Sequence, residues 1–235
     1  MKKNPLMNVV CEIRFESNQE DDVFCKSLIQ NLEDRSAFKG GFVPLEIMNL
    51  PSEIRSKSGH LRFAPFYLNE DGCKSFGVGP HVLCFSDSGE YSGYNDFISF
   101  VKKGVDVLLE SSDNHIFQIR LAYINRIDDN IAESTNLCCS INGNILNESE
   151  DYTFHIEYEM SEECNIAVRF CNKNAVLPEN DNETVFSVVD LRAEYDVNDT
   201  NQVYEALKKT HNFIKIVFNK VMKQRYLKEK WGINV

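Results

Sequence analysis

Arg120, Asn125 and Arg126 fall within the longest β-rich run of the chain, Ile116 to Ile127, and Asp128 follows them. Successive side chains of a strand alternate between its two faces. Gln118, Arg120 and Arg126 therefore project together, opposite Phe117, Ile119, Leu121, Tyr123, Asn125 and Ile127. A guanidinium presents a planar fork of donors that fits a carboxylate or phosphate in two places at once. Arg14, on a strand at the start of the chain, can stand beside them. The residues read in two ways. Arg14, Arg120, Asn125 and Arg126 line a groove for anionic groups, or the arginines are rungs of cross-strand ion pairs with Glu12, Glu194 or Asp190, which is ordinary sheet chemistry.

A second basic feature closes the chain. From Asn201 to Val235 eight lysines and arginines stand against two glutamates, +6 in a chain of formal net charge −11, so the remainder carries −17. At helical spacing Val203, Leu207, Ile214, Val217, Phe218 and Val221 share one side, and Lys208, Lys209, Lys215, Lys220 and Lys223 gather on the other. That pattern predicts one amphipathic helix from Gln202 to Leu227. Clustered lysines suit phosphates of nucleic acid. A body at −17 nevertheless repels a polyanion at distances beyond the Debye length, so the basic face reads equally as solvated or as a docking face for an acidic protein surface.

The recurrent catalytic patterns are absent from the sequence: no Walker A loop, no GxGxxG, no GxSxG, no HExxH and no kinase set. Gly77-Val78-Gly79-Pro80 is the nearest imitation of a phosphate loop, and the proline makes it a turn. The five histidines are isolated from one another. His211 lies on the apolar flank of the terminal helix and reads as a packing residue, and His155 sits among Asp151, Glu157 and Glu159. None of the eight cysteines forms a CxxC pair, so neither a zinc ribbon nor a disulfide framework is indicated. A zinc site from Cys139, His155, Cys164 and Cys171 departs from the usual ligand spacing. Reduced thiols are expected, with no metal and no cofactor.

The elements that must position these groups follow from periodicity. Val9, Cys11, Ile13 and Phe15 alternate with polar residues as in a half-buried strand, and Asp21 to Leu32 has helical spacing behind an acidic start. Short runs at Phe42–Met48, His60–Phe66, Lys74–Val78 and Val82–Ser86, separated by Gly and Pro turns, predict an antiparallel meander. Tyr91 to Leu109 reads as a helix with Ser92 or Asn95 as cap. After the long strand come Tyr152–Met160 and Asn165–Cys171, an exposed loop PENDNE from Pro178 to Glu183, a strand Thr184–Tyr195 and the basic helix. The order is that of an α+β protein with curved antiparallel sheet packed on long helices. It is expected to be one compact body over residues 1–235, divisible into two distantly similar β-α-β(n)-α halves, 1–114 and 115–235. The start MKKNPLMNVV has no uninterrupted apolar stretch, and no apolar run long enough to span a bilayer occurs. A cytoplasmic protein is expected.

The segments NVVCEIRFE, RLAYINRID and THNFIKIVFNKVMKQRYLKEKWG, in that order along the chain, resemble the anchors of a sporadically distributed bacterial family of about 250-residue α+β proteins of unknown function. The aromatic stretch at Tyr91 to Phe97 fits as well. The resemblance implies an accessory locus, phage defence among such loci, and a partner protein encoded beside it. It brings no catalytic residues. The chain departs from the resemblance in its Cys and Asn content and in the acidic region after Asp128. The resulting expectation is a non-enzymatic recognition or adaptor protein acting with a separate effector. The alternative is a protein that binds or processes a small anionic ligand or nucleotide in a pocket between sheet and helix. Nucleic acid and self-association stay open as partners; a membrane does not.

Overall fold

In β1 (Leu6–Glu16) Val9, Cys11, Ile13 and Phe15 are wholly buried and Val10, Glu12, Arg14 and Glu16 are half-exposed, so the period-2 pattern becomes an inner and an outer face of a sheet. The computed structural model describes residues 5–35, 38, 40–89, 91, 93–110, 114–138, 140–141, 144–145, 151–179 and 182–233, with backbone alone at 56, 141, 144–145, 174–179 and 182–184. After β1 come α1 (Asp21–Asp34), β2 (Val43–Pro44), α2 (Ser52–Lys57), α3 (Gly59–Arg62), β3 (Tyr67–Asp71), β4 (Lys74–Gly79), β5 (Val82–Asp87) and α4 (Tyr94–Leu109). Then follow β6 (His115–Ile127), α5 (Ile131–Ser134), β7 (Ser140–Ile141), β8 (Asn144–Ile145), β9 (Tyr152–Ser161), β10 (Cys164–Glu179), β11 (Asn182–Asp196), α6 (Val203–Val221) and α7 (Gln224–Tyr226). The fold is α+β with an antiparallel sheet in the order β2-β3-β4-β5-β1-β6-β11-β10-β9.

The chain divides into two compact units that are discontinuous in sequence, one of Val9–Leu121 and Tyr195–Leu207, the other of Met1–Asn8, Ala122–Glu194 and Lys208–Val235. In the first unit β5 pairs with β1 through Val9↔Asp87 to Arg14↔Val82, and β4 and β3 continue the meander. Phe24, Cys25, Leu28 and Leu32 of α1 and Phe97, Val101, Val105 and Leu108 of α4 supply the helical side of its core. Each such side chain contributes roughly 1.5–3 kcal/mol on burial. Phe76 and Phe85 stack at 4.6 Å between ring centres, and a Cβ on Gly104 of α4 would stand 2.8 Å from the Phe85 ring. Gly104 therefore sets how closely α4 lies on β4 and β5.

In the second unit β9 and β10 pair from Cys164↔Ser161 to Asn172↔Tyr152 with a bulge at Cys164/Asn165. Ile166, Val168, Phe170, Val189, Leu191, Ile214, Val217 and Val221 are buried in its core. A smaller cluster of Cys171, Phe186 and Val188, joined by Met7 and Ile124, covers the opposite face of the strands.

Four expectations from the sequence need correction. His60–Phe66 is not a strand: Leu61 and Arg62 both donate their amides to the Ser58 carbonyl, which makes a helical turn, and the strand lies later as β3. The segment 45–57, expected to hold a strand to Met48, is helical apart from its first residues because the Pro51 carbonyl accepts from Ile54 and Arg55. The PENDNE stretch is strand almost to its tip, with β10 reaching Glu179 and β11 starting at Asn182, so ladder pairing overrides the local turn chemistry. The terminal helix is broken after Val221. Asn136 donates its backbone amide to Val221 and its side-chain amide to the carbonyls of Lys220 and Met222, while the Lys223 amide turns to Ser134. Those carbonyls and amides are taken from the helix ladder by a neighbouring segment, and a short α7 and a π turn over Leu227–Trp231 follow. For α4, Gly93 at φ 116° occupies the cap position, Asn95 lies within the helix, and Ser92 is outside the described residues.

Candidate functional site

The arginines singled out by the sequence are bound into the sheet. Arg14 donates to Glu12 at 2.9 Å and to Gln118 at 3.2 Å, and its guanidinium lies 4.2 Å from the centre of the Phe63 ring. Gln118 in turn donates to Asp196 at 3.0 Å. Arg126 is paired with Asp128 at 2.7 Å and covers Phe186 at 4.9 Å. Asn125 is buried and commits its amide to the carbonyls of Tyr123 and Val189. Arg120 is half-buried on the outer face of β6. Arg14 and Arg120 belong to the first unit, Asn125 and Arg126 to the second.

On the basic helix Lys208, Lys209, Lys215 and Lys220 are exposed, and Lys220 lies 5.0 Å from the Tyr158 ring. Lys223 differs: it is half-buried and its Nζ donates to the Ala132 carbonyl, which gives it a structural task. His211 Nδ1 and the Tyr123 hydroxyl share a hydrogen bond of 2.9 Å inside the second unit, and burial followed by the charge of Lys215 holds the His211 pKa below the ordinary value. His155 is exposed and faces Arg169 across the strand pair, whereas Cys164 is buried and Cys139 is outside the described residues.

A different set of cations lines a pocket in the first unit. Its free volume is about 230 Å³ and its walls are Asp21, Arg55, Leu61, Arg62, Phe66, Pro80 and His81. Three local features assemble it. Pro51 starts α2, so Arg55 falls in its first turns, stacked 4.3 Å from the centre of the Phe66 ring. Gly77 and Gly79 lack the Cβ atoms that would stand 2.8 Å from Pro65 Cβ and 2.5 Å from the Ala64 carbonyl oxygen. The Ala64–Pro65 backbone therefore settles directly on β4, where the Phe66 amide donates to Val78 at 2.8 Å, and this brings Phe66 and Arg62 beside the Pro80-His81 turn. Gly77, Val78 and Gly79 are thus the end of β4 and only Pro80-His81 turns, so the segment is largely strand rather than the turn expected, and its glycines serve a close backbone approach.

The pocket is electrostatically incomplete. Arg62 is paired with Glu16, whose second oxygen is 3.4 Å from His81 Nδ1, and His81 Nε2 is 3.8 Å from Asp21. Arg55 has no such carboxylate: its Nε and Nη1 are shut off from solvent and no hydrogen-bond acceptor meets them among the described residues. An enclosed, unsatisfied donor costs about 1–3 kcal/mol and more when charged. Beside it Ile54, the preceding residue, is 52% exposed. A short helix that turns its isoleucine outward and its guanidinium inward breaks the usual patterning, and such breaks gather at functional sites. Beneath the pocket, burial and then the charges of Asp21 and Asp22 push the Cys25 thiol up to about 12 against the pull of Arg55. Cys25 stays protonated and supplies no nucleophile. The walls can hold an anion.

Sequence reasoning missed Arg55, Arg62 and His81. A signal existed: Arg55, Lys57, His60 and Arg62 stand in a stretch with no acidic residue between Glu53 and Glu70, in a chain that is otherwise acidic. Comparison of the chain with family models, curated proteins and solved structures returns no match.

Proposed function

We propose that this chain is a recognition protein whose first unit binds a small anionic ligand in the pocket of Arg55, Arg62 and His81. The observation that carries the reading is the enclosed guanidinium edge of Arg55 without an acceptor. A ligand oxygen supplies the missing bonds once the Arg55 side chain turns its enclosed edge to it, Phe66 packs on the guanidinium, and Leu61 and Pro80 give apolar contact. This combination of apolar walls with a few convergent polar groups is what small-molecule sites share.

A partner encoded in the same bacterial locus, implied by the resemblance of the three anchor segments, completes this reading as an adaptor, with the exposed Lys208, Lys209, Lys215 and Lys220 available to an acidic protein surface. No helix among the described residues is long and apolar enough to cross a membrane. The test is a thermal-shift panel of small carboxylates, phosphate and amino acids on the full chain and on Arg55→Met. A ligand that raises the melting temperature of the parent and leaves Arg55→Met unmoved supports the reading. Equal responses from both proteins overturn it.

A further inference from the structure

The pocket that holds the unsatisfied donors also carries a carboxylate with no hydrogen-bond donor, and the pair narrows the ligand. Asp21 opens α1 at the pocket wall. Its nearest cationic neighbour is His81 Nε2 at 3.8 Å, too far for a hydrogen bond, and no described residue donates one to its carboxylate. Arg62 is already neutralised by Glu16. Arg55 and Asp21 are therefore wall charges of opposite sign whose hydrogen-bonding capacity is open among the described residues, with His81 Nδ1 a further wall nitrogen that has no hydrogen-bond partner.

A ligand with two negative charges, such as a phosphate monoester, would set its second charge against Asp21, with only His81 and the Glu16-paired Arg62 to offset it. A ligand with one carboxylate and one ammonium satisfies both walls together. Leu61, Phe66 and Pro80 add apolar surface to the same walls. The free volume of about 230 Å³ is below the ~300–1,000 Å³ usual for drug-sized ligands, which restricts the ligand to a small molecule.

Resting on the anion-binding reading above, we propose that the ligand is a small zwitterion, a free α-amino acid with an apolar side chain. Its carboxylate takes Arg55 Nε and Nη1, its ammonium donates to Asp21, and its side chain lies against Leu61, Phe66 and Pro80.

Isothermal titration of the full chain with L-leucine, L-valine and L-phenylalanine tests this, together with isocaproate, which is leucine without the ammonium, and isoamylamine, which is leucine without the carboxylate. The expected result is saturable binding of at least one amino acid, with each truncated analogue weaker by roughly tenfold or more. Asp21→Asn should bring amino-acid affinity down to that of isocaproate and leave isocaproate unchanged, and Asp22→Asn, a neighbouring carboxylate absent from the pocket wall, should alter neither. Arg55→Met should abolish both. Melting curves of each variant confirm that it is folded. If isocaproate or phosphate binds in an Arg55-dependent manner and the amino acids bind no more tightly, the zwitterion is wrong and the anion reading stands. If no amino acid, isocaproate or phosphate binds, both are wrong.

Discussion

Arg55 stacks 4.3 Å above the Phe66 ring while two of its guanidinium nitrogens, shut off from solvent, meet no acceptor among the described residues. Stacking a cation on an aromatic face returns about 0.5–2 kcal/mol, against about 1–3 kcal/mol or more for the unsatisfied donors. The ligand-free protein is thus held at a local disadvantage that a ligand removes.

Arg55→Met is accordingly expected to keep or raise the melting temperature of the ligand-free protein, by up to a few degrees. A conventional structural arginine behaves oppositely, because its removal leaves a partner charge buried and costs about 3–5 kcal/mol. A fall of many degrees in differential scanning calorimetry contradicts this account of Arg55.

Gly79→Ala places a Cβ 2.5 Å from the Ala64 carbonyl oxygen. Overpacking of this kind costs about 1–3 kcal/mol, and the segment that must give way is the one holding Phe66 and Arg62 at the pocket. Chemical denaturation should show the stability loss, and ligand response should weaken with it. Unchanged stability would mean that the close approach of Ala64 to β4 is not a constraint.

Asp129 joins the end of the chain to the second unit by accepting from Tyr226 and Lys230, each at 2.9 Å. Burial raises its pKa, but the hydrogen bonds from Lys230 and Tyr226 and the Lys230 charge more than offset this and hold it below the ordinary carboxylate value. A depressed carboxylate stabilises the fold above its unfolded pKa and ceases to do so as pH falls through the folded one. Asp129→Asn should therefore destabilise by about 1 kcal/mol near neutrality, given the partial exposure of the group, with the gap to the parent closing below about pH 4. A gap independent of pH would assign the loss to packing instead.

His211 has the same sign for a different reason, since burial and Lys215 disfavour its charged form. Below about pH 6.5 the unfolded chain takes up a proton that the folded chain resists, so stability falls with acidity until the folded pKa is passed. His211→Gln should flatten that part of the profile relative to the parent, measured by denaturant titrations at several pH values. Parallel profiles would show that the ring does not titrate differently on folding.

Much of the fold was legible because burial and periodicity coincide there. β1, α1, β6 and α6 carry patterns whose apolar positions are mostly the buried ones, with Val23 of α1 exposed and Phe218 of α6 half-buried as exceptions. The helical turns of 46–62 were not legible, because their amides are satisfied by carbonyls at Pro51 and Ser58 rather than by a repeating apolar stripe. The break after Val221 depends on Asn136, far away in sequence. The pocket was hidden for a related reason. Arginines on a β-rich strand attract attention, and those at Arg14 and Arg126 turn out to have carboxylate partners two residues away. Arg55 sits in a short, irregular stretch where nothing marks which way a side chain points, and only the three-dimensional arrangement shows that Ile54 faces out and Arg55 in.

The most direct measurement of the central claim is the side-chain Nε–H resonance of Arg55 in the full-length protein, assigned by its loss in Arg55→Met and followed through titrations with amino acids, isocaproate and phosphate. Arg35, paired with Glu110 at the surface, serves as the internal control. The expected result is a saturable shift of the Arg55 resonance with at least one of these compounds while Arg35 stays in place. An Arg55 resonance that moves with none of them, or that moves only in step with Arg35, would contradict the assignment of this pocket as an anion site.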